Sequence, residues 1–395
     1  MGQWRKVDMP LLVVLILFLT FGIVMVYSAS FPYAYLRFDN ASHYVNRQLF
    51  WAGVGLLCLL LALRIPYRIY GKLSPVLLLV TLLLLVLVLI PQIGIERNFS
   101  RRWLGLGGFQ FQPVEIAKIS LLIYFAYFYS RKQALINHFG KGVIPPLIVL
   151  VVVFGLILVQ PDLGSATLIV CSCSVLLFFT KVRYRYLLFL MSFAVTGFIF
   201  FAVRSSYRLE RLTSFTNPFA DADGAGYQLV NSYISIHTGG VWGLGLGQSV
   251  QKLGYLPEAH TDFIMSIISE ELGLLGVLIV VGFYLFLMMK GVQIGRRAPD
   301  LFGRLLAIGL TFQLLMQAII NLGAILGLLP ITGITLPFVS YGGSSLMITM
   351  IEVGILLNIS SYSQKSLSHN RNNRESKDRK RYKQYRKSSH VAEWG

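Results

Sequence analysis

Apolar runs of about 18 residues or more recur along this chain, and they constrain its fold more than any other feature. A run of about 20 apolar residues makes a helix long enough to cross the hydrocarbon core of a bilayer. Within that core every backbone N–H and C=O needs an internal partner, so only helices and closed barrels cross it. Barrel strands alternate in polarity, and these runs are continuous, which excludes a barrel. The 395 residues are 55% hydrophobic and only 13% charged, against about 25% charged in soluble domains. The sequence predicts an all-α polytopic membrane protein. Ten transmembrane helices are expected, near 9–29, 48–63, 73–91, 113–130, 144–160, 163–180, 185–203, 263–289, 303–329 and 338–359.

The net charge of +18 would suit nucleic acid, but its distribution argues for topology instead. With the N-terminus inside, most of the 35 lysines and arginines fall in cytoplasmic segments. The even number of spans returns the C-terminus to the cytoplasm. One long extracellular loop, 204–262, then joins helices 7 and 8. Residues 362–395 are basic and poor in apolar side chains, as expected of a disordered cytoplasmic tail able to lie on anionic lipid. The membrane domain is therefore expected over 1–361. No aromatic or fold feature supports nucleic-acid binding. The first run follows Arg5 and Lys6 and ends near Ser28-Ala29-Ser30, the outline of a signal peptide. It is longer than the roughly 7–15 apolar residues of such signals, so a retained helix is expected. Cys58, Cys171 and Cys173 all fall inside spans, and no disulfide or metal pair follows.

Charges at membrane depth are costly and mark candidate sites. Glu115 and Lys118 are i, i+3 neighbours just inside the fourth span, after Gln112-Pro113. Glu352 lies deeper, in the last span, with no role evident. The outer loop 92–112 carries Arg101 and Arg102 beside Trp103, against the usual charge bias. Arginine suits phosphate through its paired donors, although arginine and tryptophan also anchor headgroups. Asp162 follows Gln160-Pro161 in a short outer turn, where it can cap the sixth span. Gln313, Gln317 and Asn321 are four apart on one face and are expected to bond to neighbouring helices.

The densest group is Glu258, His260, Asp262, Glu270 and Glu271, where the long loop enters the eighth span. A helix starting near Thr261 would align Asp262, Ser266, Ser269, Gly273 and Gly276 on one small, polar side. Leu272 to Met289 alone makes about 27 Å of helix, so Asp262 sits about 15 Å above the hydrocarbon, among outer headgroups. The implied substrate is a lipid-linked phosphate with its head group outside. A carboxylate there can take a proton from an attacking hydroxyl, and lysine or arginine can stabilise a departing pyrophosphate. At the first helical position Asp262 would be a weakened base, because the helix dipole lowers its pKa. The glycines 239–247 suggest backbone packed closely under a ligand, and 227–237 an amphipathic surface helix.

Several stretches resemble the FtsW/RodA/SpoVE family, whose members are called SEDS proteins. They are Tyr27 to Ser30, Arg47-Gln48, Arg102-Trp103, Gln112-Pro113-x-Glu115-x-x-Lys118, Gln160 to Gly164, Gly243 to Gln248, Leu256 to Phe263 and Pro337 to Ser345. Val114 stands where the family usually has serine. Thr335 to Ser345 and Ser269 to Gly273 look more like the division and sporulation branch than the rod-elongation branch. The resemblance implies an inverting peptidoglycan glycosyltransferase that polymerises lipid II at the outer face of the cytoplasmic membrane. It implies Asp262 as the catalytic base and Glu115 and Lys118 as a cavity-lining pair. Arg47, Arg101, Arg102, Glu258 and His260 are the other expected substrate contacts. It also implies a class B penicillin-binding transpeptidase as partner, other divisome proteins, and a septal location in a bacterial membrane. A divalent cation, Mg or Mn, is associated with such activity, but no sequence motif supplies a site for one. A lipid II flippase and a non-catalytic scaffold are the alternatives. A flippase has little use for a base at the outer surface, and a scaffold has no use for these charges at all.

Overall fold

The computed structural model describes residues 7–97, 100–106, 109–136, 138–180 and 215–363, with 182–186 and scattered residues up to 197. Most of the expected span 185–203, the start of the long loop and the tail beyond Ser363 lie outside the described residues. The helices are α1 (Met9–Phe38), α2 (His43–Arg64), α3 (Tyr67–Leu87), α4 (Pro113–Arg131), α5 (Ile144–Val159), α6 (Leu163–Phe178), α7 (Tyr227–Gly239), α8 (Ile264–Arg297), α9 (Leu301–Ile325) and α10 (Gly343–Ser363). Seven of the described helical stretches are long and apolar enough to cross a membrane: α1, α2, α3, α8, α9, α10 and Phe139–Val159, which contains α5. The chain is a multi-pass membrane protein. α6 is apolar but shorter.

The core sits around α9 and α10. In these two helices 72% and 78% of the apolar stretch is buried within the protein, against 28% in α2 and in α3. The less buried helices leave an apolar face exposed, as lipid allows. Small residues set the spacing where helices meet. A Cβ on Gly291 of α8 would strike the side chain of Thr311 on α9, and one on Gly22 of α1 would meet Val339 Cα at 2.9 Å. Asp8 caps α1 by accepting from the Leu11 amide at 3.1 Å. Its carboxylate also pairs with Lys290 of α8 at 3.0 Å, and its amide donates to Ser360 of α10.

The segment after α3, expected as a plain loop, is a small antiparallel sheet. β1 (Gly94–Arg97), β2 (Ser100–Leu106) and β3 (Phe109–Phe111) pair in that order. Glu96 faces Arg101 across β1 and β2, and the two form an exposed ion pair at 3.0 Å.

The glycine-rich stretch 239–247 packs on protein backbone. α8 is broken at Gly273, with φ 58° and ψ −146°, which strands the hydrogen-bonding groups of the flanking turns. The glycine loop replaces the lost partners. Leu244 N–H donates to Glu270 O at 2.9 Å, Gly245 N–H to Glu271 O at 2.9 Å, and Leu274 N–H to Val241 O at 3.1 Å. Both strands of this exchange need glycine: Gly243 has φ +73°, and a Cβ there would lie 2.7 Å from Gly273 N. α7 packs on the same turns of α8 through its serines, with Ser232 Oγ 2.8 Å from Ser266 Oγ. The small, polar side of α8 therefore faces protein, and so does the serine face of α7.

Gly273→Ala forces a side chain into the left-handed region, with its Cβ 2.6 Å from Val241 O. It should destabilise the protein by about 1–3 kcal/mol and lower its thermal midpoint in detergent. An unchanged midpoint would show that the break in α8 is dispensable.

Candidate active site

Asp262 is not on a helix. α8 begins at Ile264, three residues later than the expected start at Thr261, and Asp262 lies in the preceding turn. The concern that a first-turn position weakens it as a base therefore loses its ground. What holds Asp262 is a set of bonds to its backbone. Tyr341 N–H donates to His260 O at 2.9 Å. Ser340 Oγ–H donates to Thr261 O at 2.6 Å, and Asn321 Nδ2 donates to Asp262 O at 2.7 Å. Three successive carbonyls are thus clamped by the end of α9 and the turn before α10. That turn is itself braced: Gln48 of α2 donates to Ser340 O at 3.3 Å and accepts from Gly342 N–H at 3.4 Å. The half-buried carboxylate of Asp262 overhangs Gly333, whose built Cβ would be 3.5 Å from Oδ2.

Glu258 and His260 occupy the same turn but differ in setting. Glu258 is exposed, has φ 54°, and accepts from Thr261 Oγ1 at 2.7 Å. His260 is buried among Tyr33, Tyr44 and Tyr341, with ring centroids 4.4 Å from Tyr44. Burial pushes its imidazole pKa down to about 4, against a smaller opposing pull from Glu258, so it is neutral near pH 7. His260 is a packing residue at this turn.

Glu115 and Lys118 pair at 2.7 Å, and both are buried. Lys118 also donates to Gln317 Oε1 at 3.0 Å, and Gln317 Nε2 donates to Thr335 O at 3.0 Å. One turn up α9, Asn321 donates to Ile334 O at 2.8 Å as well as to Asp262 O. One turn down, Gln313 donates to Glu352, which supplies the partner that the sequence left unassigned. The polar face of α9 therefore links Glu352, the Glu115–Lys118 pair and the Asp262 backbone in one ladder.

The outer arginines are used differently. Arg102 lies 3.8 Å from Asp162 and donates to Gln160 O at 3.2 Å and to Pro161 O. It ties the sheet to the turn before α6, where Asp162 also caps the helix through the Ser165 amide at 3.1 Å. Arg101 is spent on Glu96. Arg47, at the start of α2, is exposed.

Sequence reasoning missed the partners of Glu270 and Glu271. Lys252 is buried and pairs with Glu271 at 2.6 Å, and Ser28 of α1 donates to the same carboxylate at 2.7 Å. Glu270 accepts from Ser249 Oγ at 2.6 Å and from Val250 N–H at 2.8 Å. Two adjacent acids in an apolar helix signal that partners exist, but not where they come from. Among the described residues no group of three or more His, Cys, Asp or Glu could hold a metal ion.

Residues 9–365 match the FtsW/RodA/SpoVE family of cell cycle proteins. The chain belongs to this family. Stage V sporulation protein E of Bacillus subtilis is 42% identical over 357 residues, which covers 90% of this chain and 98% of the relative. The probable peptidoglycan glycosyltransferase FtsW of Trichlorobacter lovleyi is 42% identical over 353 residues, 89% of this chain and 93% of the relative. Among solved structures, the rod shape determining protein RodA of Thermus thermophilus superposes with a TM-score of 0.67 at 29% identity, covering 90% of this chain and 97% of that one. A chain from a peptidoglycan synthase complex, described as coordinating polymerization and crosslinking, matches with a TM-score of 0.74 at 29% identity, covering 91% of this chain and 99% of that one. These relatives place the chain in the division and sporulation branch of its family.

The buried His260 sets a pH dependence. Its folded pKa lies below the ordinary 6.5, so the unfolded chain binds a proton that the folded one refuses. Its contribution is fully present above about pH 6.5 and is lost as pH falls toward about 4. The thermal midpoint should fall over that window, and His260→Phe should fall less, as followed by unfolding in buffers across the range.

Proposed function

We propose that this protein is a peptidoglycan glycosyltransferase that polymerises lipid II at the outer face of the bacterial cytoplasmic membrane, for septal or spore wall synthesis. The observation that carries the reading is the clamp on Asp262, a carboxylate held by its backbone from two other elements while its side chain stays half-exposed. Family membership supplies the reaction class. The chain crosses the membrane ten times with both ends in the cytoplasm, so the turn bearing Asp262 is outside. The unit formed by 1–361 carries the activity, and 362–395 is a basic cytoplasmic tail.

In this mechanism the sugar 4-hydroxyl of an incoming lipid II attacks the anomeric carbon of the growing chain from the face opposite the lipid pyrophosphate. The new glycosidic C–O bond forms as the C–O bond to pyrophosphate breaks, so the centre inverts. Asp262 takes the hydroxyl proton, and undecaprenyl pyrophosphate leaves with the bonding pair. Fixing the aspartate's backbone sets the carboxylate at the hydroxyl. Arg47, exposed above α2, and Lys118, reached through the α9 ladder, are the cations assigned to the pyrophosphate. Arg102 acts indirectly, by seating the sheet on the turn at Asp162. The partner is a class B penicillin-binding transpeptidase, which crosslinks the strands that this protein makes. The likeness to a chain from a polymerizing and crosslinking complex supports that pairing.

Asp262→Asn, purified with its transpeptidase, should lose about 10²–10⁴-fold in the rate of glycan polymer formed from labelled lipid II, while complex formation is retained. Equal polymerisation by both proteins would remove Asp262 as the base. Polymer from neither would favour a scaffold or a flippase.

A further inference from the structure

Residues 239–251 contain no charged side chain. They leave large apolar groups outside the fold: Trp242 is 91% exposed and Val241 60%, with Leu244, Leu246 and Val250 also exposed. A contiguous apolar patch of this kind marks a contact surface. The β1–β3 sheet, by contrast, carries the exposed ion pair of Glu96 and Arg101.

The backbone fixes the depth of this stretch. Val241 O accepts from Leu274 N–H, and the amides of Leu244 and Gly245 reach Glu270 O and Glu271 O. The stretch is therefore level with residues 270–274 of α8. From Leu274 to Met289 every exposed side chain of α8 is apolar, Leu275 and Leu278 among them. That length is about 24 Å of helix, most of the roughly 30 Å hydrocarbon core. Lipid contact on α8 thus begins at the residue that holds Val241. The same level of α1 agrees. Ser28 bonds to Glu271, and its neighbours Val24, Tyr27 and Phe31 are exposed.

Charge and backbone at this level are treated as membrane depth demands. Glu270, Glu271 and Lys252 are all buried, with Lys252 against Glu271, and Glu270 on Ser249 and Val250. Irregular chain is tolerated at such depth only where its polar groups are met within the protein. Gly240, Gly243, Leu244, Gly245 and Gln248 all donate their amides to backbone carbonyls.

We propose that residues 240–250 form a tip seated in the bilayer, in the leaflet nearer Asp262. α7 runs along α8 from Ser232 beside Ser266 to Gly239 against Glu270, the tip turns among lipid, and the chain returns from Lys252 to Asp262. Trp242 takes the headgroup boundary, as tryptophan does at membrane interfaces, and Leu244 and Leu246 meet acyl chains. Lipid is the occupant because the patch continues the apolar stripe of α8 without a break. The tip then sets the height of the Asp262 turn over the membrane. The inference concerns the depth of the loop and stands whether or not Asp262 is the base.

The test uses the full-length protein in phospholipid nanodiscs, with Cys58, Cys171 and Cys173 replaced by alanine. A nitroxide is attached at Trp242→Cys or, separately, at Leu246→Cys. Its collisions with oxygen, which concentrates among acyl chains, are compared with its collisions with a water-soluble nickel chelate. Leu278→Cys on the apolar stripe of α8 and Asp223→Cys in the exposed turn ahead of α7 are the references. Both tip sites should give an oxygen-to-nickel ratio severalfold above that of Asp223→Cys, approaching that of Leu278→Cys. The ratio should persist when the transpeptidase is added. A ratio matching Asp223→Cys at both sites places the loop in water and overturns the inference. Protection from both reagents, alone or with the transpeptidase, assigns the patch to a protein contact and overturns it too. Neither readout involves polymerisation, so failure of the Asp262 mechanism and failure of the lipid-seated tip are told apart.

Discussion

Three amide side chains on one face of α9 hold the centre of this protein together. Gln313, Gln317 and Asn321 are one turn apart: Gln313 reaches Glu352, Gln317 bridges Lys118 and Thr335 O, and Asn321 bridges Asp262 O and Ile334 O. In an apolar bundle an unmet polar group is expensive, so each bridge fixes how its helices sit. Through them α4, α10 and the turn before α8 are referred to one rigid rod. The Glu115–Lys118 pair could not stay buried without such support, because an ion pair in a low-dielectric interior recovers its desolvation cost only when the remaining donors and acceptors are met.

A second device holds the loop that precedes α8. The break at Gly273 opens the backbone of α8, and the glycine stretch 239–247 fills the opening with its own amides. The adjacent acids add side-chain bonds to the same joint: Glu270 gathers 249–251, and Glu271 gathers Lys252 and Ser28. The loop is thereby bound to α1 and α8 together. Asp262 lies between this joint and the α9 ladder, so its position is set from both sides.

Much of this was legible in the sequence, for reasons that can be named. Continuous apolar runs gave the helices, since length and composition suffice to mark a span. The i, i+3 spacing of Glu115 and Lys118 gave their pairing, and the position of Asp162 gave its cap. Local spacing fails where partners are distant. Arg102 reads as a phosphate ligand until Asp162 is found beside it, and His260 as a polar contact until three tyrosines enclose it. The helix start was misplaced by three residues because Asp262 makes a good first-turn residue in isolation. Its carbonyl is instead held by Asn321.

The sequence by itself determined a helical membrane protein and the face of α9 that would carry polar contacts, and it singled out Asp262 as the candidate base. These depend on composition and on spacings of three or four residues. Only the tertiary structure decided which partner each charge takes, that the glycine stretch completes a broken helix, and that Asp262 precedes its helix. Those outcomes depend on pairs such as Gln48 with Ser340 and Lys252 with Ser28, which are far apart in the chain. Hydrogen bonding is short-ranged in space and indifferent to distance along the chain, so folding alone brings such groups together.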